Sequence, residues 1–204
     1  MAPYFETIRS FADVPVTDAG VDTLAFLEAS EGVLGIFDLL GSTAFAPVVS
    51  DLKGNIVKVR TRYDAAPAQS ATLEELVKNE QGEKKRTATG GLMWLLRGLA
   101  FTCAALLNAQ ANKTEELSVA FTNGYDRTLK QFHNFIVKGI FSVAMKACPY
   151  RRDFYAKLAS DPSGGPAASE SALNEQLDKW LAALDLIVKR METFYEKHGY
   201  NKGV

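Results

Sequence analysis

"DLLGSTAFAPVVSDLKGNIVKVR", Asp38 to Arg60, is the stretch on which the fold reading turns. The segment "GSTAFAP" breaks one run of helical spacing. Pro47 then suits the first turn of the next helix, where its missing N–H does no harm. That helix is predicted to run to about Arg62. On it Leu52, Ile56 and Val59 form an apolar face, while Asp51, Asn55 and Lys58 sit at i, i+4 and i+7. At about 100° per residue those three fall within roughly 60° of one another, so a carboxylate, a carboxamide and an ammonium share one ridge. Gly54 lies inside the same helix at a cost of about 1 kcal/mol relative to Ala. From the residues alone, the ridge reads first as a solvated face, with a clamp for vicinal hydroxyls, which both donate and accept hydrogen bonds, as the functional alternative.

Working outward, nearly every segment has the 3.6-residue period. Leu24, Leu27, Leu34 and Phe37 recur at helical intervals between Asp18 and Leu40. Thr72 and Glu75 make a capping-box pattern, and "QGEKKRTATGG" reads as a connector into a Leu92–Ala111 helix. Further helices are expected near Glu115–Asn123, Asp126–Lys146, Arg151–Ala159 and Ala168–His198. The last carries Leu177, Trp180, Leu181, Leu184, Ile187, Met191 and Phe194 on one stripe. The expectation is one all-α domain, residues 1–204, of about eight helices.

With 204 residues, 47% of them hydrophobic, the chain can bury a substantial core. A net charge of −1 and no basic block argue against a nucleic-acid partner. Cys103 and Cys148 are far apart in apolar helices, which suits free thiols in a reducing compartment. The N-terminal "MAPYFETIRSFADV" lacks the basic-then-apolar pattern of a secretory signal. Arg97, Thr102, Asn108 and Gln110 interrupt the apolar run Gly90–Ala111, arguing against a membrane span. A cytosolic, monomeric protein is expected. No nucleophile elbow, phosphate loop or metal-ligand spacing is present, so the sequence implies no enzyme, no cofactor and no metal. An Asp51/His133 acid–base pair would lack a nucleophile.

Two more residues stand out. Trp94, in "GLMWLLRGLAF", is either core or a flat platform for the C–H face of a sugar, with Gly90 and Gly91 leaving the helix start open. His133, in "QFHNFIVKGIF", has Val137, Ile140 and Ala144 following on its face. It is either a satisfied core histidine or a hydrogen-bonding group where a polar head meets an apolar tunnel. His198, near the polar end of the last helix, should face solvent.

In order, "DLLGSTAFAPVVSDLKGNIVKVR", "GLMWLLRGLAF", "QFHNFIVKGIF" and "ACPYRRDF" resemble the glycolipid transfer protein family, and within it the fungal members linked to heterokaryon incompatibility. The resemblance implies a two-layer helical sandwich holding one glycosphingolipid. By the same likeness Asp51, Asn55 and Lys58 would hydrogen-bond the first sugar, Trp94 would stack on it, and Asp51 and His133 would hold the ceramide amide. Phe37, Phe45, Val48, Phe101, Phe141, Ala144, Met145 and Phe154 would line a tunnel for the ceramide chains. Tyr150 belongs to a Pro-Tyr element of the family, and Tyr200 and Val204 to its closing C-terminal segment. A related branch that carries ceramide 1-phosphate has basic residues where Asn55 and Trp94 stand, which favours a sugar here. Phe135, Ile136 and Tyr150, with Lys146, Arg151 and Arg152 nearby, are the expected membrane-docking surface. Vertebrate members carry a Trp where this chain has Phe135. The implied activity is movement of sugar-headed ceramides between bilayers through transient membrane contact. A glycolipid sensor that signals its bound state to a protein partner is the alternative.

Overall fold

A computed structural model describes residues 3–203. Nine α-helices fill most of it: α1 Pro3–Thr7, α2 Thr23–Leu40, α3 Ala46–Ala65, α4 Leu73–Glu80, α5 Thr87–Ala111, α6 Leu117–Arg127, α7 Phe135–Lys146, α8 Arg151–Ala159 and α9 Glu170–His198. Among the described residues there is no strand, only isolated bridges between Val16 and Val21 and between Asp22 and Thr72.

Local chemistry sets the helix ends. The Asp22 side chain accepts from the Ala25 N–H (2.8 Å) to start α2. Pro47 occupies the first turn of α3, as its fixed φ favours. Thr72 and Glu75 complete the predicted capping box of α4. α5 begins earlier than the sequence suggests, at Thr87, because the buried carboxylate of Glu80 accepts from the N–H groups of Ala88 (2.9 Å) and Thr89 (2.5 Å). A side chain from the preceding helix therefore turns "TATGG" from connector into helix.

The core is organised around α5, which packs against α3, α4, α6 and α9. By length and composition α5 would qualify as a membrane span, despite its scattered polar residues. Burial of 67% of its most apolar window inside the protein accounts for that character instead. On the far side of the molecule Trp180 of α9 packs against Phe5 and Phe11, with ring centroids 5.8 and 5.1 Å apart. Cys103 is buried and Cys148 half-buried, both as free thiols. Burial pushes each up to about 12, which makes them poor nucleophiles.

The sequence places one helix over Asp126–Lys146, and here the structure differs. α6 runs on to Arg127, a 3-10 turn spans Leu129–Phe132, and α7 starts afresh at Phe135 with the Asn134 side chain accepting from the Val137 N–H (3.0 Å). His133 lies in the break, in extended conformation, and not on a helical stripe. Ile140 faces solvent, while Val137 is half-buried and Ala144 buried.

α6 lies against α5 so closely that a Cβ on Gly124 would come within 2.7 Å of the Ala105 backbone nitrogen. Helix propensity alone favours Gly124→Ala by about 1 kcal/mol. Overpacking against backbone costs about 1–3 kcal/mol, and we expect it to win. The denaturation midpoint of Gly124→Ala should fall; an unchanged or higher midpoint would show that the two helices can separate freely.

Candidate functional site

Asp51, Asn55 and Lys58 occupy one side of α3, as their spacing predicts. Asp51 and Lys58 are open to solvent, but Asn55 is only 1% exposed. The Lys58 ammonium donates to the Asn55 carbonyl oxygen at 2.9 Å. The Asn55 amide nitrogen is fully buried and has no hydrogen-bond partner. It stands near enough to Asp51 to favour the charged carboxylate without meeting the geometry of a hydrogen bond. The Asp51 carboxyl is raised above its ordinary 3.8, chiefly by partial burial, with Lys58 and Asn55 pulling the other way. Gly54 has open space beside its Cα, so no packing contact explains it.

Two glycines of α5 bring this ridge beside Trp94. A Cβ on Gly91 would lie 2.9 Å from Lys58 Cβ and 3.5 Å from the backbone carbonyl oxygen of Asn55, and one on Gly98 would lie 2.7 Å from Leu52 Cδ2. Trp94 sits between the two, rotated roughly 50° from their common line, and is half-buried. The indole therefore emerges next to the α3 ridge. Its ring is nearly parallel to the imidazole of His133, at 14° with centroids 6.2 Å apart.

The imidazole has a partner that the sequence reading missed. Tyr125 of α6 places its hydroxyl 3.0 Å from His133 Nδ1. Burial raises the phenol and lowers the imidazole, with Asp126 and Lys138 reinforcing the respective shifts, so the phenol keeps its proton and the ring stays neutral. A hydroxyl donor on Nδ1 leaves the ring proton on Nε2. In that arrangement His133 offers an Nε2–H donor, suited to an amide carbonyl; the opposite tautomer would donate Nδ1–H to the Tyr125 oxygen instead. The signal for Tyr125 was the buried α6 stripe of Leu117, Ala120, Phe121 and Gly124, which continues to it.

From His133 a chain of rings runs inward. His133 meets Phe141 at 4.7 Å, Phe141 meets Phe101 at 6.0 Å, and Phe101 meets Phe121 at 5.9 Å. Phe121 then meets Phe45 at 6.3 Å, and Phe45 meets Phe37 at 5.7 Å. Val48, Ala144, Met145 and Phe154 are also buried. The expected lining residues are thus in the interior, and four of their rings, Phe37, Phe45, Phe101 and Phe141, form one continuous path through Phe121, which was not expected. Neighbouring rings along that path lie within 6.3 Å of one another, centre to centre. A shallow cavity of about 500 Å³ opens at its far end beside Phe37, Phe45 and Val49. A larger one of about 540 Å³ lies elsewhere, against the opposite side of α5.

Two expected pocket residues fall outside this path. Tyr150 is 71% exposed at the start of α8, because the backbone there turns it outward. Tyr200 stacks on His198 (5.2 Å) and meets Phe194 at a tilt (5.6 Å) at the end of α9. Val204 lies outside the described residues. Among the described residues no cluster of His, Cys, Asp and Glu could hold a metal ion.

A profile of the family described as "Glycolipid transfer protein (GLTP)" matches residues 21–160. The chain belongs to that family. It is 49% identical over 192 residues to a glycolipid transfer protein of Aureobasidium melanogenum, covering 94% of this chain and 92% of that one. The fold superposes on the fungal glycolipid transfer protein HET-C2 with a TM-score of 0.87 at 46% identity, over 95% of this chain and 96% of the other. It also superposes on the FAPP2 domain, which selects simple glycosphingolipids using the same fold, with a TM-score of 0.87 at 33% identity over 98% and 97%. The all-helical architecture expected from the sequence is therefore the family's own, with nine helices among the described residues where about eight were expected.

The Tyr125–His133 geometry has a direct check. We expect the His133 ring to titrate below its ordinary 6.5 and to show the Nε2–H tautomer by ¹⁵N NMR, with Tyr125→Phe raising the proportion of the other tautomer. An unshifted titration with mixed tautomers in the parent protein would contradict this assignment.

Proposed function

We propose that this protein carries glycosphingolipids between membranes, holding the sugar at the Asp51–Asn55–Lys58 ridge beside Trp94 and the ceramide chains along the ring path. The carrying observation is the buried Asn55 amide nitrogen, without a partner beneath two solvent-facing charges. A buried unsatisfied donor costs about 1–3 kcal/mol, and such a group is retained where a ligand completes the network. A sugar hydroxyl accepts from an amide or ammonium and donates to a carboxylate, matching the three side chains. His133 Nε2–H is a donor for the amide carbonyl, and Asp51 an acceptor for the amide N–H.

Carrying a two-chain lipid through water exposes roughly 30 methylenes at about 0.8 kcal/mol each, or about 25 kcal/mol. The apolar path supplies the alternative solvent, once the chains part Phe141, Phe101, Phe121, Phe45 and Phe37. α7 is suited to let them in: one face, Phe141, Ala144 and Met145, closes the path, and its main packing is against α6 and the turn Thr43–Phe45.

Its other face is the docking surface we assign. Phe135 is 84% exposed, Ile136 and Val143 63% each, and Ile140 is exposed beside them, with Tyr150 close in sequence. Contiguous exposed apolar groups of this kind mark a membrane or protein contact. Lys138 and Lys146 on the same helix and Arg152 beyond it suit an anionic bilayer. Contact must be weak, since a tightly held carrier would not cycle. We expect Ile136→Ser to cut association with phosphatidylserine vesicles while leaving the melting temperature unchanged; undiminished association would move the docking surface elsewhere.

Transfer of fluorescent galactosylceramide between vesicles tests the site. Trp94→Ala and Asp51→Leu should each lose it. Asn55→Leu, which removes the orphaned donor, should lose transfer while holding or gaining stability by about 1–3 kcal/mol. Normal transfer by all three variants would refute the clamp, and binding without transfer by the parent protein would indicate a sensor.

A further inference from the structure

Arg97 has no place in the site as described so far, yet it touches it. It lies one turn beyond Trp94 on α5, half-buried, with its guanidinium carbon 4.7 Å from the centre of the indole and 3.6 Å from the ring of Phe132. The two rings meet edge to face, with centroids 6.5 Å apart. Among the described residues no carboxylate comes within ion-pairing distance of the guanidinium. Glu192 of α9 acts on it only at longer range, and burial lowers its pKa. The rings, rather than an anion, hold this cation.

Behind the guanidinium lies the cavity of about 540 Å³, walled by α5, the 3-10 turn and α9, with Met93, Leu96 and Ala100 on its floor. Arg97 and Phe132 both line it, so together they separate that space from the indole. Removing the guanidinium would take away one of the two groups that stand between the indole and that space.

We propose that Arg97 is a positioning residue for head-group selection: its guanidinium, wedged between Trp94 and Phe132, fixes the plane of the indole and leaves one face open to the sugar. A planar, delocalised guanidinium can stack on rings in this way, whereas a lysine ammonium is a strongly hydrated point charge that cannot. The two residues are therefore not interchangeable here. Arg97 acts through Trp94 and makes no sugar contact of its own, so this assignment rests on the stacking role given to Trp94 above.

Selectivity, more than chain capture, should then depend on Arg97. The test compares extraction of galactosylceramide and of sugarless ceramide from phosphatidylcholine vesicles by the parent, Arg97→Met, Arg97→Lys and Trp94→Ala. Acrylamide quenching of tryptophan fluorescence reports on the indole directly, because Trp180 is only 1% exposed and contributes a constant background. Both Arg97 variants should lose about five-fold in preference for the sugar-bearing lipid. They should also show greater quenching of Trp94, with ceramide extraction and melting temperature near those of the parent. Retained preference in both, or an equal loss for the two lipids with quenching unchanged, overturns the proposal. Should Arg97→Met fail to fold, Arg97→Lys decides the matter alone. If Trp94→Ala keeps the preference, the stacking role itself fails and takes this assignment with it. If Trp94→Ala loses it and the Arg97 variants do not, only the wedge is wrong.

Discussion

The close approach of α3 to α5 is the contact on which the other features of the molecule depend. It exists because Gly91 and Gly98 present no side chain where Lys58 and Leu52 must pass. That approach has consequences on two levels. It seals Leu52, Ile56 and Val59 into the core beside α5. It also fixes how far the α3 ridge stands from the indole of Trp94, between the same two glycines. A polar clamp and an aromatic platform on separate helices are useful only if the helices cannot drift, and backbone proximity is a stiffer constraint than side-chain packing. Core packing and the spacing of the proposed head-group residues thus share one interface.

Much of this was legible in the sequence, and the reasons are physical. An i, i+4, i+7 spacing has only one consequence on a helix, so Asp51, Asn55 and Lys58 had to share a face. Capping at Thr72 and Pro47 depends on the chain's immediate neighbours and was equally readable. Long-range side chains were not. Glu80 reaches forward to extend α5 by a turn, and the break at His133 depends on Asn134 capping a new helix in a stretch whose apolar pattern continues unbroken. Tyr125 and Arg97 were hidden for the same reason: their roles come from partners on other elements or from a cavity behind them, which no periodicity reveals. Most of the ring path was anticipated, but Phe121, which joins Phe45 to Phe101, was not, because its place depends on how α6 packs on its neighbours.

The distribution of polarity divides the labour between affinity and choice. Apolar burial is non-directional and scales with area, so the ring path from His133 to Phe37 favours any long-chain lipid and selects none. Discrimination has to arise where groups are few, directional and costly to leave unpaired. The ridge meets those conditions at Asn55, whose Nδ2 is buried and unpartnered while its carbonyl is already engaged by Lys58. The Tyr125–His133 pair meets them too, since the hydrogen bond at Nδ1 ties the tautomer of the ring to what Nε2 can offer.

α7 then joins the two tasks. Its inner face, Phe141, Ala144 and Met145, belongs to the path, while its outer face offers Ile136, Ile140 and Val143 to the surroundings. A helix apolar on both sides gains little from staying on the protein alone, because a bilayer offers its outer face the burial that the fold does not. Contact with a membrane would therefore act on the same element that closes the lipid path, with no fuel and no second site. The break before Asn134 matters here. Because α6 ends at Arg127 and α7 starts only at Phe135, α7 could shift against a membrane without carrying the imidazole, which is hydrogen-bonded to Tyr125 of α6. A continuous helix across that point would couple any movement of α7 to His133.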